Sequence, residues 1–186
     1  MDRRGGEGGT STIEEVGADG HPRCRNHRTR PFREADLEGV EGLVLATMAA
    51  SYRHTYSAEA RAKFKEYASR QKIVDDATNG LTLVAEVVGQ GDSGAGALIG
   101  TATLVGEEIS RTYVDPACQG AGVGRALMQR LEEQARADGA TEVRLYSSLN
   151  AESFYLRQGY RTFRTSSVAV ANGKHLPYFR MRKHLK

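Results

Sequence analysis

A glycine-rich segment carries the clearest chemical signal in the sequence. Residues 119–125 read QGAGVGR, follow a predicted strand and open a predicted helix. The backbone N–H groups of a helix's first turn have no partner within the helix, so they point outward toward an approaching anion. Glycine at positions 120, 122 and 124 lets a phosphate approach the main chain without meeting a side chain. The segment therefore predicts a phosphate-binding loop.

The charges around this loop favour the same interpretation. The predicted helix begins with Arg125 and Arg130, and its first acids are Glu132 and Glu133. A helix start normally favours acids, so two cations there make more sense if a polyanion lies between them. A plain glycine turn beside two solvated arginines remains the alternative. A dinucleotide-binding GxGxxG is excluded because position 125 is not glycine, and no GxxxxGK[ST] phosphate loop occurs in the chain.

The complete pattern around the loop is more specific than its glycines. The sequence YVDPACQGAGVGRAL at 113–127 resembles the acetyl-CoA-binding motif of the GNAT superfamily of N-acetyltransferases. That motif has Gln or Arg, two variable residues, Gly, one variable residue, then Gly or Ala. It is matched here by Gln119, Gly122 and Gly124. Downstream, LYSSLNAESFYLRQGYRTF at 145–163 is similar to the strand, Asn and Phe-Tyr-x-x-x-Gly-Tyr pattern of the same superfamily. The resemblance covers about residues 29–185 and is weakest in the first two helices, where acceptor specificity tends to lie.

The resemblance implies transfer of the acetyl group of acetyl-CoA to a primary amine. An amine with a pKa near ~10.4 must lose a proton before it attacks, and a departing thiolate with a pKa of about 8.5 benefits from a proton donor. Direct attack in a ternary complex is expected, because no cysteine or serine in the motifs is placed as a nucleophile with a histidine partner. No metal is needed. The alternative is a catalytically silent acyl-CoA sensor or interaction module of the same fold, and a donor longer than acetyl stays open.

Two residues are the catalytic candidates that the resemblance implies. Tyr155 is the expected acid, since the corresponding tyrosine of similar enzymes reaches the sulfur of CoA; Phe154 beside it is the better core candidate, because adjacent helix positions face different ways. Glu108 is the expected base, since a glutamate at this spacing before the loop serves some members of the family. The other candidates for the base are Glu107, Glu86, His54 and a bound water.

The resemblance also implies how acetyl-CoA is held. The main chain of Tyr113 and Val114 is expected to pair with the pantetheine arm, in a gap between the strands at 109–114 and 142–147. The pyrophosphate is expected at Gln119, Gly120, Ala121, Gly122, Val123, Gly124 and Arg125. Asn150 is expected near the pantetheine or phosphate region, although an Asn before a short helix is also explained as an N-cap.

Three weaker candidate sites remain. Tyr52, His54 and Tyr56, between the first two helices, could line an acceptor pocket, and core or loop roles explain them equally well. His21, Cys24 and His27 have metal-like spacing but lack a fourth ligand, so no metal site is expected. Cys118 beside the loop is interpreted as an inert thiol.

The elements that must position these residues follow from hydrophobic periodicity. Strands are predicted at about 29–32, 81–88, 97–105, 109–114, 142–147, 161–170 and 175–181. One helix is capped by Asp36, a second by Ser57, a third runs from Val123 to a glycine C-cap at Gly139, and a short fourth is capped by Asn150. Tight turns are predicted at Gly106-Glu107 and, as a two-residue hairpin turn, at Asn172-Gly173. The predicted class is α+β; the resemblance implies a mostly antiparallel twisted sheet with one parallel pair, flanked by helices.

Length and composition limit the organisation. The chain has 186 residues, which favours one domain, and a net charge of +3, which is too small to imply a nucleic-acid partner. Residues 1–28 are predicted to be a disordered leader and 29–186 a single N-acetyltransferase domain, because the glycine-rich start carries few apolar residues. Two cysteines cannot make a disulfide framework. No membrane span or secretory signal is recognisable, so a cytoplasmic location is expected, with a small-molecule or peptide amine as partner. Homodimers are common in the family.

Overall fold

Seven strands form one sheet in the computed structural model, which describes residues 24–88 and 96–186. The strands are β1 (His27–Pro31), β2 (Leu81–Val87), β3 (Leu98–Val105), β4 (Glu108–Val114), β5 (Glu142–Ser147), β6 (Arg161–Ala169) and β7 (His175–His184). Their order in the sheet is β1-β2-β3-β4-β5-β7-β6. Neighbouring strands are antiparallel except β4 and β5, which are parallel. The predicted fold class is confirmed.

Helices cover both faces of this sheet. They are α1 (Leu37–Tyr52), α2 (Ala58–Tyr67), α3 (Arg70–Asn79), α4 (Val123–Ala137) and α5 (Glu152–Arg157). The apolar stripe of α4, formed by Val123, Leu127, Leu131 and Ala135, is buried in one core cluster against β-strand residues. Gly100 of β3 lies under this helix, and a Cβ there would come within 2.8 Å of Val123 Cγ1. On the opposite face, α1 packs Val40, Val44 and Met48 into a second cluster with α3.

Helix α3 is missing from the expectations drawn from the sequence. It begins after Ser69, whose hydroxyl accepts a hydrogen bond from the Lys72 amide at 3.4 Å. Only Ile73 and Asp76 of this helix are buried, so its apolar pattern is too sparse to stand out. The Ser57 cap of α2 is confirmed, because its hydroxyl accepts from the Ala60 amide at 3.2 Å.

The turn between β6 and β7 differs from its prediction by one residue. Val170 N donates to Lys174 O at 2.9 Å, so the turn that this pair closes contains three residues, 171–173, rather than the two predicted. Asn172 and Gly173 both have positive φ, at 58° and 66°, which explains why this pair favours a turn there. The Gly106 turn and the end of α4 at Gly139 are as predicted, with φ values of 58° and 88°.

Cys24 and Cys118 are joined by a disulfide bond across 94 residues of sequence. Both are buried, and the bond ties the segment before β1 to the 3₁₀ turn Pro116–Cys118, just ahead of the glycine loop. The interpretation of Cys118 as a free thiol is therefore wrong. Residues 24–28, assigned to the leader, belong to the folded part; the division between leader and domain remains a prediction, because residues 1–23 lie outside the described chain.

The disulfide also bears on the metal-like spacing near the start of the chain. The Cys24 sulfur is bonded to the Cys118 sulfur and is therefore not a free thiol. His27 Nδ1 lies 2.7 Å from the Cys24 carbonyl oxygen. His21 and most of the predicted loop after β2 fall outside the described residues. Within 24–88 and 96–186, no helix is both long and apolar enough to cross a membrane.

Candidate active site

The strands β4 and β5 separate shortly after they begin to pair. Their parallel register contains two Cα pairs, Glu108 with Arg144 and Ile109 with Leu145. Beyond these pairs, β4 continues to Val114 and β5 to Ser147 without being partners of each other. The gap that the resemblance implies is therefore present.

A bulge in β4 lies beside the gap. The β3–β4 register shifts between the pairs Thr101–Tyr113 and Thr103–Ser110, so β4 carries an extra residue there. Arg111 sits in this bulge with φ 49°, in the left-handed region, and its guanidinium pairs with Asp76 of α3. This ion pair ties the bulge to the helical layer over it.

The end of β4 turns main-chain groups toward the gap. Asp115 N donates to Ile99 O at 2.9 Å, so the main-chain groups of Asp115 face β3. Because this direction alternates along a strand, the main-chain groups of Tyr113, two residues earlier, also face β3. Val114, between them, directs its main chain to the gap side. Its carbonyl oxygen accepts from Gln119 Nε2 at 3.3 Å and from Thr47 Oγ1 at 3.4 Å. Val114 is therefore the better placed of the two residues expected to pair with a pantetheine arm.

The glycine loop has the backbone geometry of an open helix start. Gly120 and Gly122 have φ values of 83° and 90°, which L side chains rarely adopt. Gly122 is the N-cap of α4, and its carbonyl accepts the Ala126 amide at 3.0 Å. The preceding N–H groups of the first turn have no carbonyl within the helix. A Cβ on Gly122 would meet nothing within 4 Å, and the first turn carries no acid.

Gly124 is glycine for a different reason. It is buried in the first turn of α4, and a Cβ there would come within 3.1 Å of Phe154 Cζ. This contact allows α4 and α5 to pack closely. The sequence pattern alone does not distinguish this packing role from direct contact with a phosphate. Arg125, at the same helix end, is exposed.

Tyr155 of α5 is buried in the core cluster that contains α4, with 7% of its surface exposed. Burial raises its pKa to about 12, and a hydrogen bond with Thr112 of β4 partly opposes that rise. The phenol is therefore protonated at neutral pH and can donate a hydrogen bond or a proton. Thr112 lies beyond the last β4–β5 pair, so the Tyr155 hydroxyl is beside the gap. Phe154 is only partly buried, so the expectation that it is the better core residue is wrong.

Glu108 lies at the start of β4, in the wall of a cavity of about 200 Å³. Partial burial raises the pKa of Glu108 above its ordinary value, and the Asp76 charge adds to this, while Lys72 and Arg180 oppose it. A carboxylate with a raised pKa is a stronger proton acceptor. The same cavity is lined by Glu107, Arg144, Tyr146, Phe163 and Arg180.

The remaining candidates for the base are placed less well. Glu86 is 1% exposed and ion-paired with Arg28 at 2.6 Å and Arg30 at 2.9 Å. The hydrogen bond from Arg30 is the largest cause that lowers the pKa of Glu86, so its carboxylate is a weak base. Glu86 also lies on β2, which pairs with the edge strand β1. His54 is exposed in the turn after α1. Glu107 is the exception, because it lines the same cavity and is exposed as Glu108 is, so exposure does not separate these two carboxylates.

Tyr52 and Tyr56 are core residues. The Tyr56 hydroxyl donates to Pro177 O at 3.3 Å and accepts from the Leu149 amide at 2.7 Å. The Tyr52 hydroxyl is hydrogen-bonded to Ser148 and Tyr113, and burial raises its pKa. Together they fasten the end of α1 to the β5–α5 connection and to β7. The structure does not bring them together with His54 as the wall of a pocket.

Asn150 is not the N-cap of α5. That helix begins at Glu152 after Ala151, and Asn150 Nδ2 instead donates to Ser51 O at 2.7 Å and Thr55 Oγ1 at 2.9 Å. Its side chain anchors the β5–α5 connection to the end of α1. The cap prediction is wrong because a long-range pair of acceptors takes the amide, and its expected contact with a cofactor gains no support from this geometry.

Sequence reasoning missed Arg180, Tyr146 and Phe163, which face the cavity beside Glu108. Tyr146 and Phe163 are 53% and 44% exposed, unusually open for large apolar side chains in strands. The available signal was Tyr146, an aromatic residue on the face of its predicted strand opposite Val143 and Leu145.

Comparisons with known proteins agree with this arrangement. A family model described as "Acetyltransferase (GNAT) domain" matches residues 52–185. A GCN5-related N-acetyltransferase structure from Rhodopseudomonas palustris has a TM-score of 0.71 and 29% identity, covering 85% of this chain and 95% of that one. The PaiA N-acetyltransferase of Thermoplasma acidophilum, solved in complex with coenzyme A, has a TM-score of 0.63 and 22% identity over 85% of this chain and 98% of that one, which supports the fold.

One curated relative matches a shorter stretch. "Serotonin N-acetyltransferase 2, chloroplastic" from Oryza sativa subsp. japonica is 33% identical over 73 residues, which are 37% of this chain and 36% of that protein. This chain therefore matches only about a third of the relative's length.

The fold, a mostly antiparallel sheet whose one parallel strand pair separates, is that of a GNAT acetyltransferase domain. The chain belongs to the acetyltransferase (GNAT) domain family, whose model matches most of it.

Proposed function

We propose that the chain transfers the acetyl group of acetyl-CoA to a primary amine by direct attack in a ternary complex. The observation that carries this proposal is the β4–β5 gap. Beside it lie the buried, protonated Tyr155 and the open helix start at Gly122, and at its closed end Glu108 borders a separate cavity. Donor and acceptor can thus approach one point of the sheet from different directions.

The residues fit the donor. The first-turn amides of α4 and the space left by Gly122 would hold the pyrophosphate, and the Val114 main chain would hold the pantetheine arm. Exposed Arg125 would add a cation near the phosphates. When bound, acetyl-CoA supplies an acetyl group activated as a thioester.

Glu108 and Tyr155 have opposite roles in proton transfer, one as acceptor and the other as donor. Glu108 takes a proton from the ammonium form of the acceptor, which frees the nitrogen lone pair for attack. Tyr155 donates toward the sulfur of the leaving thiolate, since burial keeps its phenol protonated. Burial favours the protonated phenol that the role of Tyr155 requires, whereas the raised pKa of Glu108 makes its carboxylate a stronger proton acceptor only once it is ionised.

The walls of the cavity suggest an acceptor with an aromatic ring. Tyr146 and Phe163 line the cavity beside Glu108 and are 53% and 44% exposed, and Tyr146 packs edge-to-face with Tyr178 at 5.7 Å between ring centroids. Serotonin, named for the rice relative, is such an aromatic amine. Stacking against these rings would place an amine near the carboxylate.

The test is release of CoA when purified protein and acetyl-CoA are mixed with aromatic amines, polyamines, aminoglycosides and peptides. We expect release that depends on the acceptor and yields an acetylated amine of matching amount. Tight binding of acetyl-CoA with no turnover of any amine would instead indicate a silent sensor of the same fold.

The cytoplasmic location also remains part of this proposal, and the disulfide bears on it. Disulfides persist mainly in oxidising compartments. Thiol labelling of the protein in freshly lysed cells would show whether Cys24 and Cys118 are paired there. Free thiols would support the cytoplasm, and a protected pair would favour an oxidising location.

A further inference from the structure

Arg180 occupies an unusual position in the cavity beside Glu108. It lies on β7 opposite Tyr146 of β5, and its Nε is buried without a hydrogen-bond partner among the described residues. Its guanidinium carbon lies 5.8 Å from the Tyr146 ring centroid and 5.4 Å from that of Phe163. The two rings hold the cation in place but give its Nε–H no acceptor.

A buried charged N–H group without an acceptor is costly, and such groups are rare in folded proteins. The neighbouring arginines differ in this respect. Arg144 Nε lies 2.8 Å from Glu142 Oε1, and Arg182 lies 3.7 Å from the other oxygen of the same carboxylate. The Nε edge of Arg180, which a carboxylate can grip through two parallel hydrogen bonds, is therefore uncommitted within the described structure.

The wall of the cavity thus carries both acidic and basic side chains. Glu107 and Glu108 line one part of it, and Arg180 lines another. The charge of Arg180 is felt at Glu108, whose pKa it lowers against the larger effect of burial. An amine directed at Glu108 would place a second, anionic group of the same molecule near Arg180.

We propose that the acceptor is an aromatic amine that also carries a carboxylate, such as an aromatic α-amino acid, with its carboxylate bound by Arg180. This inference rests on the proposed function. The acceptor nitrogen forms an amide bond to the acetyl carbon as the bond from that carbon to sulfur breaks. The ammonium proton goes to Glu108 before attack, and the thiolate of CoA receives a proton from Tyr155. The second proton, which the nitrogen loses as the amide forms, restores the Tyr155 phenol.

Matched pairs of acceptors test the proposal: tryptophan against tryptamine, and phenylalanine against phenethylamine. Binding is measured by calorimetry in the presence of CoA, and kcat/KM is measured from CoA release with acetyl-CoA. We expect the carboxylate-bearing member of each pair to bind and react better, by about 10- to 100-fold, which is typical of a hydrogen bond to a charged group.

The variant Arg180→Met keeps most of the apolar stem and removes the charge. We expect it to remove the preference by raising KM for the amino acids, with little change for the simple amines. The control is Arg182→Met, since Arg182 lies on the same strand, 5.3 Å from the Phe163 ring, but faces Glu142. It should keep the preference.

The outcomes separate the two proposals. Equal binding of both members of each pair, or a preference that survives Arg180→Met, overturns the role of Arg180 even if amines are acetylated. A carboxylate preference in binding without any CoA release supports the role of Arg180 and contradicts the proposed transfer.

Discussion

A methyl group added at Gly122 should remove acetyl-CoA binding while leaving the fold intact. Gly122 and Gly139 lie at opposite ends of α4, with φ values of 90° and 88°, and a Cβ on either meets nothing within 4 Å. Alanine therefore strains the backbone equally at both positions, by about 1–2 kcal/mol. Only at Gly122 does the methyl group enter the space proposed for the pyrophosphate, so Gly139→Ala is a matched control.

The expected changes in Tm follow from this backbone strain and from the stabilisation that bound acetyl-CoA provides. For a domain of this size, about 1–2 kcal/mol lowers the Tm of each unliganded variant by about 2–8 °C. Acetyl-CoA at 100 times its Kd stabilises the unchanged protein by about 2.7 kcal/mol, or roughly 5–10 °C. If the methyl group raises Kd about 100-fold, that stabilisation falls to about 0.4 kcal/mol, which is near 1 °C.

A thermal shift assay with and without acetyl-CoA measures both effects. We expect similar unliganded Tm values for Gly122→Ala and Gly139→Ala, with the acetyl-CoA shift lost only in Gly122→Ala. Equal acetyl-CoA shifts in the two variants would refute the phosphate-binding role of the loop.

Three further predictions concern the chemistry and the stability of the fold. Tyr155→Phe should lower kcat about 10²- to 10⁴-fold with an unchanged Kd for acetyl-CoA, measured by CoA release and calorimetry; an unaltered kcat contradicts its role as the acid. Because protonated Glu108 cannot accept a proton and its pKa lies above the ordinary 4.5, activity should fall as pH drops through that raised pKa. Glu108→Gln should remove this acidic limb of the pH profile and Glu107→Gln should retain it; the opposite result transfers the role to Glu107. Replacing both Cys24 and Cys118 by Ala opens a link across 94 residues and should lower the free energy of unfolding by about 2–5 kcal/mol, whereas an unchanged denaturant midpoint contradicts a formed disulfide.

The elements predicted correctly from the sequence are those whose signals come from residues close together in the chain. Helix α4, the Ser57 cap and the Gly106 turn depend on residues close in sequence, and the structure confirms them. Helix α3 escaped prediction because it buries only two side chains. The Asn172-Gly173 turn was located correctly, but its length is set by the strand register around it.

The features that prediction missed in the site depend on contacts between distant segments. The amide of Asn150 is taken by acceptors more than 90 residues away, so its apparent capping role could not be judged locally. The glycine at 124 fits the loop motif and yet serves packing against Phe154. Arg180 of β7 lies beside Tyr146 of β5 and Phe163 of β6 only because the sheet brings these three strands together.

The proposed function requires that the β4–β5 gap holds acetyl-CoA with its thioester beside Tyr155. A crystal structure of the protein with acetyl-CoA tests this most directly. We expect the pyrophosphate at the first turn of α4, the pantetheine arm along Val114, and the sulfur within hydrogen-bonding distance of the Tyr155 hydroxyl. Acetyl-CoA bound elsewhere, or a sulfur remote from Tyr155 with the gap empty, would contradict the proposed donor site.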